Sequence, residues 1–291
     1  IGKKKSYTID YEASMKNDKK LWLDALHPET ITWKPGIFSK VQTNEYNVEV
    51  ADSLWLHDSY RAFILNQIKE SLVKPTQGYV YSDLHYYLYP EIIQYITGEK
   101  WENYLKKTYK ALGANTLTYN PRKHFSLDRI VPTEVDTLFR KTMIHGRVHD
   151  EGAGLLSGIS GHAGLFGNAN DLMKLMQMYL QKGEYGGQRF ISPSVLAEVT
   201  KYQFPEEKNR RAIAFDKLDF NPKVTNGPRL ASPESYGHSG FTGTFTWVDP
   251  ASQLVYVFLS NRVYPTRDNG KISTLNIRTA IGDEIYKAMK K

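Results

Sequence analysis

No cysteine occurs anywhere in the 291 residues. That excludes thiolate nucleophiles, cysteine-ligated zinc and disulfides. It leaves the compartment open, because the cytosol and the bacterial periplasm both accommodate cysteine-free proteins. Nor does any stretch approach the ~18 consecutive apolar residues that a membrane-spanning helix requires. The opening Ile1-Gly2-Lys3-Lys4-Lys5 has neither an initiator methionine nor the apolar core of a signal peptide behind it, so the chain reads as a processed product or a fragment. Internal repeats and low-complexity linkers are missing too.

What is present suits a folded protein. Hydrophobic residues make up 41% and charged residues 24%, and the length supports one large domain or two intimate subdomains around a sizeable core. The net charge of +7 is not concentrated. Lys3-Lys4-Lys5 and Lys290-Lys291 are terminal, and elsewhere acids are mixed among the bases. This is a solvated surface rather than a patch for nucleic acid.

Residues 1 to 48 are polar and broken by Pro28 and Pro35, and read as an irregular lead-in to a domain covering 49 to 291. Between positions 50 and 72, Leu54, Leu56, Tyr60, Phe63, Ile64 and Ile68 recur near the 3.6-residue period, which predicts a helix. A short extended piece is expected at 78 to 81. Helices are expected over 84 to 96, with Pro90 at a first turn or a kink, and over 101 to 112, stopped by Gly113. The stretch from 121 to 167 is glycine-rich and aperiodic, the kind of long loop that is usually functional. Asn168 opens a clear helix with Leu172, Leu175, Met176 and Tyr179 on one face. Segments 242–248 and 254–260 flank Asp249-Pro250-Ala251-Ser252 as a β-hairpin, and a last helix spans 274 to 289. Helices in the middle (about 84 to 200) and antiparallel strands late (about 210 to 291) indicate an α+β fold.

Three motifs carry candidate chemistry. Tyr81-Ser82-Asp83 ends the extended piece, where a tyrosine can act as a general base. With 20 tyrosines in the chain, any single one is structural by default. Gly237-His238-Ser239-Gly240 precedes the hairpin; its small residues let a ligand backbone approach a strand edge, and a histidine there can donate to an anion or carbonyl. Alone it would be a turn. The third motif is Gly161-His162-Ala163-Gly164-Leu165-Phe166-Gly167-Asn168-Ala169-Asn170-Asp171-Leu172. In this order the three resemble the serine β-lactamase/penicillin-binding-protein superfamily in its class C and esterase-like branch. Its motifs there are Tyr-x-Asn, Gly-x-x-Gly-Leu-x-Ser-x-Ala-x-Asp-Leu and Lys/His-x-Gly. Val50-Ala-Asp-Ser-Leu-Trp-Leu56, Arg129-Ile-Val-Pro-Thr133, His145-Gly-Arg-Val-His-Asp150 and Tyr256-Val-Phe-Leu-Ser-Asn-Arg262 are similar to one group within it. In that group such a domain follows a glycoside hydrolase family 3 β-N-acetylglucosaminidase domain in bacteria. The resemblance runs from about Trp33 to the C-terminus.

The resemblance implies an antiparallel sheet flanked by helices plus a mostly helical subdomain, with the first segment of the fold lacking. It implies acyl transfer to a serine in a Ser-x-x-Lys motif at a helix start, with backbone N–H groups binding the oxyanion. Tyr81 would be the acid/base and Asp83 its polar partner, and His238 would lie on a substrate-lining strand with Ser239, Gly240 and Phe241. A small acyl or cell-wall-derived substrate, no cofactor or metal, and a bacterial periplasmic or cell-surface location follow from the same resemblance. Two departures bear on the substrate. Asp83 stands where an amide is usual and offers no N–H donor. His238 stands for lysine and would bind a carboxylate less firmly. Both favour an esterase, amidase or peptidase-like activity over β-lactam hydrolysis.

The nucleophile is harder to find. Ser71-Leu72-Val73-Lys74 fits the motif, but Pro75 pushes Lys74 out of the α region and Ser71 lies at the end of its expected helix. Gly158-Ile-Ser160-Gly-His162 and Gly237-His-Ser239-Gly-Phe241 each miss the final glycine of a nucleophile elbow. The expectation is therefore truncation: the serine and lysine belong to an upstream part of the polypeptide, and this chain is inactive alone. Losing that part would expose apolar surface, hidden by homo-oligomerisation or marginal packing. A naturally degenerate domain is the alternative to truncation, and two further readings stand beside both. One is a non-catalytic cell-wall-binding module attached to a glycosidase. The other is a metal hydrolase using His145, His149 and Asp150, where Gly146 and Val148 disfavour the helix such spacing needs.

Overall fold

The structure, a computed structural model, describes Trp33, residues 35–72 and residues 79–290. The described chain falls into two units that alternate along the sequence. One comprises residues up to 72 with 83–90 and 120–164; the other comprises 79–82, 91–119 and 165–290.

In the first unit, Leu54–His57 alternates buried and half-buried side chains, the period-2 signature of a strand with one face inward. It is the middle strand of a three-stranded antiparallel sheet, flanked by Phe38–Ser39 and Tyr46–Ala51. The described part of the lead-in contributes the strand Phe38–Ser39 and the first residues of Tyr46–Ala51, and the helix foreseen from 50 begins only at Tyr60, which corrects that expectation. Leu54 and Leu56 are two apart on a strand face, and they mimic helical spacing only because the helix Tyr60–Lys69 continues the apolar series with Ile64, Leu65 and Ile68. Leu54, Leu56, Ile64 and Ile68 form a core with Phe139, Ile144, Leu155 and Leu156.

The stretch from 121 to 167 is more ordered than its composition suggests. It contains an antiparallel hairpin, Pro132–Asp136 with Thr142–His145. Asp136 accepts the backbone N–H groups of Leu138, Phe139 and Arg140 and so closes the turn. Arg140 is 1% exposed and donates to the carbonyls of His149 at 3.0 Å and Asp150 at 2.9 Å.

In the second unit four strands lie in sequence order: β1 (Asp216–Lys217), β2 (Tyr236–Ser239), β3 (Phe245–Asp249) and β4 (Leu254–Phe258), all antiparallel. Alternation divides the sheet's side chains between two layers. Tyr236 and Val248 meet Met176 and Leu180 of the helix Ala169–Leu180. Phe245, Trp247 and Tyr256 cluster with Ile285 of the helix Ile277–Met289. The first of these helices is capped as expected, Asn168 Oδ1 accepting from Asp171 N at 2.9 Å. Asp171 in turn accepts from Thr116 N and Oγ1 at 2.7 and 2.8 Å. Pro90 occupies the first turn of the helix Tyr89–Thr97, where its missing N–H costs nothing. The late hairpin forms with Asp249, fully buried, at its end. Its carboxylate accepts from Ser232 N (3.0 Å), Ser232 Oγ (2.6 Å), Ser252 Oγ (3.0 Å) and Tyr286 OH (2.6 Å).

Lys217 on β1 is 3% exposed. Its ammonium donates to the carbonyls of Glu234 and Ser235, both at 3.1 Å, and lies over the rings of Tyr202 and Tyr236. Burial outweighs the nearby charges of Glu234 and Asp249 and lowers its pKa from 10.5 to about 8. The fold thus disfavours the charged form. Below pH 8 the side chain is charged in both states and the penalty is complete; as pH rises from 8 toward 10.5 the penalty is relieved. Compared with Lys217→Met in parallel urea titrations, the wild-type chain is expected to gain stability on the order of 2 kcal/mol between pH 8 and 10. A pH-independent difference would refute the burial effect.

Candidate functional site

Strand β2 carries the second sequence motif, and its neighbours shape it. Gly237 faces Trp247 across the ladder. A Cβ there would come within 2.1 Å of the Thr246 carbonyl and 2.4 Å of Trp247 Cε3, so only glycine lets β2 and β3 close at this register. β1 pairs with β2 only at Tyr236 and Gly237, so His238 and Ser239 extend past the end of β1. Gly240 N then donates to the Thr244 carbonyl at 2.8 Å and turns the chain toward β3. Phe241 is 61% exposed, and its ring lies under the Arg262 guanidinium at 4.3 Å.

The segment before β1 completes the arrangement. Arg211 forms an isolated antiparallel bridge with Asp216, and Ala212 N donates to the Phe215 carbonyl inside that tight turn. The turn presents the Arg211 side chain to β2. Arg211 Nη1 donates to His238 Nε2 at 3.3 Å and lies 2.8 Å from Asp216 Oδ1. The guanidinium also packs over the rings of Tyr79 and Tyr81, at 5.2 and 5.1 Å from their centroids. Tyr81 and His238, from distant parts of the sequence, therefore gather on one cation. Tyr81 is 48% exposed and reachable from solvent. Arg210 shares Asp216 at 3.4 Å and pairs with Asp219 at 3.3 Å.

Sequence reasoning missed Arg211, Asp216 and Tyr79. The available signal was the run Arg210-Arg211-Ala212-Ile213-Ala214-Phe215-Asp216, in which opposite charges flank a small-residue turn. Asp83, the other residue of the tyrosine motif, belongs to the first unit. There it precedes the short helix Leu84–Leu88, and its carbonyl accepts from Tyr86 N.

The third motif also has its own network in the first unit. Ser160 Oγ lies 2.9 Å from His162 Nδ1, and His162 Nε2 lies 2.8 Å from Asp150 Oδ1. The composition is that of a hydrolytic triad, but Ser160 is completely buried and presents no nucleophile to solvent. The chain is structural. His162 stacks on Tyr87 at 4.3 Å, and Asp150 caps the helix Glu151–Leu155 by accepting from Ala153 N. Burial pushes the Asp150 carboxyl up, but the His162 contact and the Ala153 N–H outweigh it and hold the pKa below the usual value. Gly161 sits against the Tyr86 carbonyl, 2.5 Å from where a Cβ would be.

The residues of the metal alternative have separate partners. His145 Nε2 contacts the Ile130 carbonyl, His149 lies beside Glu134 at 3.0 Å, and Asp150 takes His162. Among the described residues no group of three or more His, Cys, Asp or Glu is placed to hold a metal ion. Ser71 lies beyond the helix Tyr60–Lys69 and donates its hydroxyl to the Ile68 carbonyl at 2.7 Å. Lys74 and Pro75 lie outside the described residues, as does Gly78.

Comparison with known proteins gives a consistent picture. The family model "Beta-lactamase" matches residues 42–280. A protein of Escherichia coli (strain K12) named "Putative D-alanyl-D-alanine carboxypeptidase" is 33% identical over 270 residues, covering 84% of this chain and 61% of that protein. One of the same name from Salmonella enteritidis is 33% identical over 243 residues, covering 78% of this chain and 55% of its own. The chain thus spans little more than half the length of these curated relatives. Among solved structures, a β-lactamase from Mycobacterium bovis superposes with a TM-score of 0.52 at 18% identity, covering 76% of this chain and 68% of its own. A penicillin-binding protein homologue from Caulobacter crescentus gives 0.50 at 15% identity, covering 77% and 62%. At such identities the likeness speaks to fold alone.

Proposed function

Because the chain belongs to the β-lactamase family of serine hydrolases, we propose that it contributes the proton-transfer and substrate-lining residues of an acyl-transfer hydrolase. Its substrate would be a cell-wall-derived amide or ester. The observation that carries this reading is the convergence of Tyr81 and His238 on Arg211, beside a strand stretch that β1 leaves unpaired. In the proposed chemistry a serine hydroxyl adds to the acyl carbon, and its proton passes to Tyr81 and on to the leaving group. Water then releases the acyl group by the reverse path. Asp83 is the polar partner of Tyr81. The substrate backbone lies along Ser239 and Gly240, with Phe241 at the end of that strand segment.

The names of the relatives support a peptide ending in D-alanine as the substrate class and a location outside the cytoplasm, in the periplasm or at the cell surface. Among the described residues no helix is long and apolar enough to cross a membrane. A family 3 glycosidase is the proposed fusion partner, on the strength of the sequence signatures alone.

The sequence holds one Ser-x-x-Lys, and its serine follows a helix instead of starting one. The chain alone is therefore proposed not to form an acyl-enzyme. Incubated with a fluorescent penicillin or with p-nitrophenyl acetate, it is expected to show neither covalent label nor hydrolysis above a denatured control. Label on any serine of the chain would overturn this. In a form of the protein that carries a helix-start serine–lysine pair, Tyr81→Phe is expected to lower kcat by about 10²–10⁴. If both forms lack acyl chemistry, the binding-module reading replaces the hydrolase.

A further inference from the structure

We infer that Arg211 is a positioning residue that fixes His238 as the Nδ1–H tautomer, so that neither ring nitrogen of His238 is left to donate to a substrate. The inference rests on the reading that Tyr81 and His238 belong to one site, and it changes how that site recognises its ligand.

The geometry leaves one assignment for the ring. His238 Nδ1 lies 2.9 Å from the Ser239 carbonyl, which can only accept, so Nδ1 carries the hydrogen. Nε2 lies 3.3 Å from Arg211 Nη1, which can only donate, so Nε2 is the acceptor. The two contacts require the same tautomer and reinforce one another. The sequence alone allows a histidine that donates to an anion or carbonyl of a ligand; here the N–H is directed to the chain's own Ser239 carbonyl.

Arg211 is suited to impose this. Asp216, buried at the end of the tight turn, anchors the guanidinium by charge; the 2.8 Å approach of Asp216 Oδ1 does not have hydrogen-bond alignment. The Tyr79 and Tyr81 rings hold its faces. A guanidinium carries five N–H donors and no acceptor, and it keeps its charge throughout the working pH range. It can therefore never take a hydrogen from Nε2 and let the ring flip to the other tautomer. One of those donors, Nε, is buried without a hydrogen-bond partner among the described residues. With Nδ1 and Nε2 both engaged, the imidazole keeps no spare N–H at this position.

The test reads the ring directly. Two-bond ¹H–¹⁵N spectra of the ¹⁵N-histidine-labelled chain, with the signal assigned through His238→Gln, are expected to show His238 predominantly as the Nδ1–H form. Arg211→Met, which keeps bulk but removes every donor, is expected to move the tautomer ratio toward Nε2–H by about three- to tenfold, the range one ordinary hydrogen bond commands. Arg211→Lys, retaining a donor, is expected to restore most of the shift. Wild-type His238 in the Nε2–H form would overturn the inference without any variant, so a misfolded Arg211→Met leaves the test intact. An Nδ1–H ring unchanged in a folded Arg211→Met would also overturn it, because Ser239 alone would then suffice. The tautomer is measured without turnover, so these outcomes are separate from the acylation assays, on which the functional reading stands or falls.

Discussion

Asp249→Ala is expected to lower the unfolding free energy by about 3–5 kcal/mol, read as a shift of the urea midpoint at constant slope. The reason is what the carboxylate leaves behind. It is fully buried and takes hydrogens from the Ser232 N–H and hydroxyl, the Ser252 hydroxyl and the Tyr286 hydroxyl. These join β3, the loop before β2, the hairpin turn and the last helix. Alanine would strand these donors in a closed space, and each stranded group costs about 1–3 kcal/mol. Burial pushes the Asp249 carboxyl upward, but the bonds from Ser232, Tyr286 and Ser252 outweigh it and hold it below its usual value of 3.8. Its contribution is therefore present above that value and lost as pH falls through the lowered one. Asp249→Ala should accordingly lose less relative to wild type in strong acid than at neutrality. A loss below about 1 kcal/mol at pH 7 would show that the hub relaxes without its centre.

Arg140→Ala is the corresponding lesion in the first unit, with an expected loss of about 3–5 kcal/mol. The guanidinium is among the largest fully buried side chains. It satisfies two carbonyls, those of His149 and Asp150, and lies 4.0 Å from the buried Asp136 carboxylate. Removing it uncovers an acid and two acceptors at once and leaves a cavity beside Gly154, whose missing Cβ already makes room for the guanidinium. Arg140→Met fills part of that space and is expected to lose less. Equal losses for the two variants, measured by the same urea titration, would assign the effect to charge pairing and not to volume.

Periodicity made some of the architecture readable and misled elsewhere. The helix opened by Asn168 and the hairpin around Asp249 announced themselves because each combines a regular apolar period with a cap or turn residue of known chemistry. Leu54 and Leu56 deceived because two strand positions followed by a helix reproduce helical spacing across the junction. The hairpin around Asp136 was hidden because side-chain-to-backbone bonds shape its turn, and such bonds leave no apolar rhythm. At the site, motif order brought out Tyr81 and His238. It could not bring out Arg211, whose importance arises only when the fold sets it against both. The tautomer inferred for His238 was out of reach for a related reason: it depends on Arg211, 27 positions away, as well as on the adjacent Ser239 carbonyl.

The two units are interleaved, the chain passing between them at five points before residue 165. A ribosome that has released the chain as far as residue 100 has therefore delivered parts of both units and the whole of neither. The first unit becomes complete when the segment ending at Gly164 emerges, and only then can the Trp33 indole meet the Phe139 carbonyl, 106 positions away. The second must wait for its C-terminal helix. Nascent chains will thus hold apolar strands such as Leu54–His57 without their full complement of partners for much of synthesis. That places a demand on chaperones which a domain folding in order along its sequence would escape.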